Sequence, residues 1–213
     1  SGSQDYKANA NLTADTTLQG DSLTFTNGVD GNSNNLDLNF SQTTSLDGSF
    51  TNIADLTSEG NVSLNGSITT SGAQTYKADT ILSGDTDIVT SGGDVTITGG
   101  TEGIYSAEVL PAGTGYNLSI NSGSGNIIVG NETGFGNNNG TDALVNDLSL
   151  SSSTSTKIGS GSQSIGGEMA VPGGPLTLMG DTLLGGRSLV TPAGVDGAGH
   201  NLDLGFTEQT TID

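Results

Sequence analysis

The chain has one histidine, His200, and no cysteine. Histidine is the commonest general base, and beside a carboxylate and a serine it would activate a nucleophile. His200 lies in Gly197-Ala198-Gly199-His200-Asn201, a turn sequence ahead of Leu202-Asp203-Leu204. A related stretch earlier in the chain has Asn34 at the same place, so a plain amide serves there equally well. The many serines are not accompanied by a G-x-S-x-G elbow. The sequence therefore predicts no catalytic residue and no enzyme.

Carboxylates are the other source of chemistry. A pair at a defined separation cleaves glycosides, and several oxygen donors together hold calcium. Asp85, Asp87 and Asp94 form one candidate group, and Asp30 with Asp37 another. In a strand Asp85 and Asp87 share a face, which on an acidic chain reads as a solvated outward row. The weak metal candidates are Asp30, Asn32 and Asn34, because Asp30-Gly31-Asn32-Ser33-Asn34-Asn35 begins like a D-x-N-x-N calcium loop. It then departs from the pattern, with Asn35 in place of glycine and Ser41 in place of the bidentate glutamate. The third copy of this stretch, Asp196-Gly197-Ala198-Gly199-His200, keeps only the Asp-Gly turn. The sequence thus implies no cofactor, calcium being the one candidate. Tyr6 and Tyr76 read as packing residues rather than sugar platforms, since Ile165 stands at their place in the third copy. Thr24 with Thr26 and Thr96 with Thr98 express β-propensity alone.

What must position these residues follows from composition. The 213 residues include 35 Gly and 4 Pro, with no Trp, 31% hydrophobic and 4% aromatic content, and a formal charge of -19. So little apolar material disfavours a thick globular core. Four cations, Lys7, Lys77, Lys157 and Arg187, cannot neutralise a phosphate backbone, which argues against nucleic acid and anionic lipid as partners. No stretch has the roughly 18 apolar residues of a bilayer span, so no membrane insertion is expected. Ser1-Gly2-Ser3-Gln4 has no signal-peptide character, and any export signal would lie outside this chain.

The chain repeats itself. Gln4-Asp5-Tyr6-Lys7-Ala8 returns as Gln74-Thr75-Tyr76-Lys77-Ala78 and, degraded, from Gln163-Ser164-Ile165. Asn35-Leu36-Asp37-Leu38 returns as Asn117-Leu118-Ser119-Ile120 and Asn201-Leu202-Asp203-Leu204. Copies one and three also share Asp15-Thr16 with Asp181-Thr182, Gly28 to Gly31 with Gly194 to Gly197, and Phe40 with Phe206. These landmarks divide one continuous solenoid into copy one (1–70), copy two with inserted loops (71–159) and a partial copy three (160–213). Length differences place extra residues in 101–115, in 131–140 and, seven of them, in 166–175. Those excursions are the candidate functional loops.

Between landmarks, short runs such as Leu23-Thr24-Phe25, Val62-Ser63-Leu64 and Val95-Thr96-Ile97 alternate apolar with small polar residues. Asn27-Gly28, Asp30-Gly31, Asn65-Gly66 and Gly92-Gly93 offer positive φ at corners. The pattern predicts an all-β chain, a right-handed parallel β-helix of about 20 residues per coil, some ten coils and about 50 Å long. Tandem small β-sandwich modules are the alternative, disfavoured by the missing tryptophan and the variable repeat length.

Gly66 to Tyr76, followed by Asp79-Thr80-Ile81-Leu82, a Gly-Gly strand and an Asn-Leu-x-Leu strand, resembles the repeats of large bacterial surface exoproteins of the filamentous haemagglutinin-like adhesin type. The resemblance spans essentially the whole chain. It implies a secreted, cell-surface β-helical stalk that is structural and adhesive, in attachment, biofilm cohesion or filament formation. Its partners would be a host or neighbouring-cell surface or a glycan. The alternative function is a carbohydrate-binding or carbohydrate-degrading β-helix with the inserted loops as one wall of a groove. Neither terminus carries a capping segment in the sequence, so the chain is expected to belong to a longer repetitive protein or to stack end to end with copies of itself.

Overall fold

Short strands leave all their backbone N–H and C=O groups seeking partners outside the strand, and the register of those partners defines the architecture. The computed structural model describes residues 2–100, 103–107, 115–130, 135 and 144–213. Among them there is no helix, and the strands pair in parallel with strands one turn away. The first turn consists of Gln4–Tyr6, Ala10–Asn11 and Thr16–Gly20. In the second turn Phe25 pairs with Tyr6, Val29 with Ala10 and Leu38 with Leu18. Followed to Leu202–Phe206 and Thr210–Ile212, this register gives nine complete three-sided turns and two sides of a tenth. The chain is a parallel β-helix, and the sandwich alternative fails because those pairings are parallel. At about 4.8 Å per turn the shaft is roughly 45 Å long.

Several strands continue round a corner. Gly28–Phe40 supplies the second and third sides of one turn, and Thr44–Ser58 supplies all three of the next. Alternation sends one residue in two to the interior, where like stacks on like. On the second side Val29, Phe50, Ile68, Ile88 and Ile120 form one buried column. The interior is narrow, one side chain per position, and this is why a chain with few aromatics fills it.

Polar residues also enter it. Gln74 is fully buried, its amide donating to the carbonyls of Ile68 (3.1 Å) and Val89 (2.9 Å), and its oxygen accepts the Tyr76 hydroxyl at 2.7 Å. Gln4 and Tyr6 repeat that pair at 3.1 Å, and buried Gln163 accepts the N–H of Phe135 at 2.7 Å. The glutamine landmark is therefore an interior brace for corner backbone, each amide satisfied as a buried amide must be. Burial raises the Tyr76 phenol far above its ordinary pKa. The packing reading of the tyrosines holds, with Tyr6 stacked on Phe25 at 4.8 Å.

The sequence repeat and the structural turn have different lengths. Leu36 and Leu38 lie on the third side, Leu118 and Ile120 on the second, and Leu202 and Leu204 on the first. Successive Asn-Leu-x-Leu landmarks are separated by three turns and two sides, so each is rotated by one side from the last. The seven residues at 166–175 expected as an excursion are no loop. They contain Glu168–Ala170, a strand paired to Leu148–Ser152 and Ser188–Thr191, and amount to one extra side between Gln163 and Asn201. At the corners Gly28, Gly66 and Gly92 have the expected positive φ. At Asp30-Gly31 the left-handed residues are instead Asn32 (46°) and Ser33 (63°). Gly31 is required for space, since a Cβ there would lie 2.6 Å from the Cα of Ile53.

Candidate functional site

The acidic residues are best understood from the corners upward. The residue that opens a side is repeatedly Asp or Asn, and its side-chain oxygen accepts a backbone N–H from the next turn. Before the third side, Asp15 accepts from Asn35 (2.9 Å), Asn35 from Asp55 (3.1 Å) and Asp55 from Ala73 (2.6 Å). Before the second side, Asp85 accepts from Asn117 (2.9 Å), Asn117 from Asp147 (3.1 Å) and Asp147 from Glu168 (2.8 Å). Before the first, Asp79 accepts from Gly100 and Gly103, both at 2.9 Å, and Asp181 from Asn201 at 2.9 Å. These oxygens do for the solenoid what an N-cap does for a helix, supplying an acceptor where the ladder turns away. Much of the charge is thus architectural. Asp55→Ala should cost about 1 kcal/mol in urea unfolding, while Asp55→Asn, which keeps the acceptor, should lose less than half of that. Equal losses in both variants would mean that charge, not the acceptor, stabilises the corner.

This placement disperses the sequence candidates. Asp85 and Asp94 sit at opposite ends of the second side, Asp94 accepting the N–H of Asn126 at 2.7 Å. Asp87 stands outward between Ser67 and Ser119. Asp37 faces outward on the third side, away from Asp30 at the end of the second. In the calcium-like turn, Asp30 accepts the N–H of Asn32 and the side-chain amide of Asn52, both at 3.1 Å. Asn32 donates its amide to Leu12 O and Asn34 to Gly31 O, each at 2.9 Å. Both asparagines therefore turn their N–H ends to the backbone and brace a corner. Asp196 repeats the turn, accepting the N–H of Ala198 at 3.0 Å. Among the described residues no three His, Cys, Asp or Glu gather as metal ligands. His200 lies 3.8 Å from Asp181. That carboxyl is held below its usual range by the Asn201 N–H, then by the Asn201 side-chain amide, against some desolvation, with His200 adding attraction. Asp15, Asn34 and Asn35 are the counterpart of Asp181, His200 and Asn201 without a histidine.

Most of the two insertions, 101–115 and 131–140, lies outside the described residues. Their attachment does not. The Ser106 hydroxyl accepts the N–H of Tyr116 (3.0 Å) and donates to Leu144 O (3.2 Å), which ties the roots together at the corner between the first and second sides of turns six and seven.

Beyond that corner, the second side carries a groove that sequence reasoning missed. Two depressions of about 370 and 410 Å³ adjoin at Glu168 and Arg187. Ser119, Ser149, Ala170 and Val190 form their floor, one from each successive turn. Along the wall, Asn117 and Asp147 are followed in register by Glu168 and then Ser188, while Arg187 and Glu208 stand one residue ahead of that row in the ninth and tenth turns. Arg187 approaches Asp147 at 3.5 Å and Glu208 at 4.0 Å, and Ser188 donates to Glu168 at 3.2 Å. A signal was present in the sequence. Copies one and three align without gaps from Asp15 with Asp181 to Phe40 with Phe206, and that alignment puts Asp21 opposite Arg187 and Gln42 opposite Glu208. The framework itself does not require these two charges.

Compared with known proteins, the chain matches no family model, no curated protein and no solved structure.

Proposed function

We propose that this chain is a non-enzymatic, adhesive shaft segment of a secreted bacterial surface protein, acting in attachment, biofilm cohesion or filament formation. The observation that carries this reading is the use of Asp15, Asp55, Asp85, Asp94, Asp147 and Asp181 as acceptors for the backbone of the following turn. Residues that could have hydrolysed or bound metal are spent on making turns stack. A stack of such turns holds two surfaces apart and resists collapse in water through its -19 charge. No cofactor is part of the proposal. Partners are a host or neighbouring-cell surface, or a glycan on it.

Beads coated with the chain and washed over bacterial and host-cell layers under shear test this. Retention above albumin-coated beads is expected, with no new reducing ends when the chain is incubated with polysaccharides. Steady release of reducing ends, abolished by a Glu168→Gln change, would overturn it in favour of a carbohydrate-degrading β-helix. That second reading draws on the carboxylates beside the groove of the second side.

A further inference from the structure

We infer that the groove along the second side, from turn six to turn ten, binds an uncharged oligosaccharide lying parallel to the shaft axis. The inference rests on the adhesive reading and names its ligand class and site. Three features argue for it. The first is departure from the repeat: Arg187 and Glu208 occupy positions that Asp21 and Gln42 fill in copy one with the same strand framework, so that framework forms without them.

The second is dimension. The two depressions meet end to end and follow Ser119, Ser149, Ala170 and Val190 up the shaft. Each turn advances by about 4.8 Å, close to the length of one pyranose ring in a chain, so successive sugars meet equivalent rungs. Ala170 and Val190 offer apolar floor to the C–H face of a sugar.

The third is chemistry. The Asn117 amide and the Arg187 guanidinium put donors, and the Asp147, Glu168 and Glu208 carboxylates put acceptors, along one wall. Vicinal hydroxyls, each donor and acceptor at once, are complementary to such a wall, whereas a group that only accepts or only donates is not. Charge decides among glycans. Three carboxylates face one guanidinium, which already lies against Asp147 and Glu208. A uronate, sialate or phosphate would be repelled, and a neutral hexose chain would not.

The test is a glycan array probed with the whole chain and with a double variant, Arg187→Asp with Glu208→Gln, which installs the copy-one residues and should melt like the parent. The expected result is retention of neutral oligosaccharides by the parent, at least tenfold weaker in the double variant, with uronic-acid chains and basic peptides not retained by either. Three results would overturn the inference: no neutral glycan retained, equal retention by parent and variant, or preference for acidic glycans or for a basic peptide. If the beads adhere to cells equally with both proteins, the groove assignment fails while the adhesive reading stands. Neutral-glycan retention without adhesion to any cell would instead keep the groove and remove the adhesive role.

Discussion

Gly28→Ala is expected to unfold the first three turns, at a cost above about 4 kcal/mol, a size reached only by specific steric or burial faults. Gly28 has φ of 95°, and a Cβ built on it would lie 1.9 Å from the carbonyl oxygen of Ser49 in the next turn. That carbonyl belongs to the ladder between Gly28–Phe40 and Thr44–Ser58, so it cannot withdraw without loss of backbone hydrogen bonds on both sides of the corner. Gly199→Ala is the control. Its φ is 88°, but nothing lies within 4 Å of the added atom, leaving only backbone strain of about 1–2 kcal/mol. Urea unfolding of the two variants separates steric exclusion from strain, and similar losses would show that the corners are not close-packed.

Leu38→Ala and Leu204→Ala should behave very differently although both occupy the same place in an Asn-Leu-x-Leu landmark. Leu38 is fully buried in the column of the third side, and its truncation should cost about 2–4 kcal/mol through lost transfer energy and the cavity left behind. Leu204 stacks on buried Leu184 in the tenth turn but stays 38% exposed. Its truncation should cost less than about 1.5 kcal/mol, since much of the side chain never leaves water. Because each turn touches only its neighbours, amide exchange after Leu38→Ala should accelerate in the first few turns and leave Leu148–Ser152 unaffected. Acceleration spread evenly over the chain would contradict a linear array.

Alternation made the strands legible. Leu23-Thr24-Phe25, Val62-Ser63-Leu64 and Val95-Thr96-Ile97 read as inward, outward, inward, and the structure places them so. The coil of about 20 residues was legible and agrees with the pairing of Thr16 with Leu36, but the side on which each landmark falls was not, because Asn-Leu-x-Leu reports a corner followed by a side and three corners look alike in sequence. The same confusion made one extra side at 166–175 read as a loop. The buried role of Gln74 was hidden for another reason: a polar residue in an alternating run looks outward until the carbonyls it must satisfy, those of Ile68 and Val89, are brought round a corner to meet it. The candidate carboxylates were identifiable as a set but not in their role, since an Asp before a strand reads alike whether it caps the next turn or faces a ligand. The groove at Arg187 escaped because it is made of single departures from the repeat, each unremarkable alone.

The mismatch between landmark spacing and turn length gives the shaft an azimuth. Asp37, Ser119 and Asp203, the outward residues of the three landmarks, point in three directions about 120° apart in a three-sided coil. Any feature written once per sequence unit is therefore threaded around the shaft like a screw, returning to its starting bearing every third unit. A surface approaching from any quarter meets one such feature within three units, so a rod built this way has no blind flank and needs no particular roll angle to make contact.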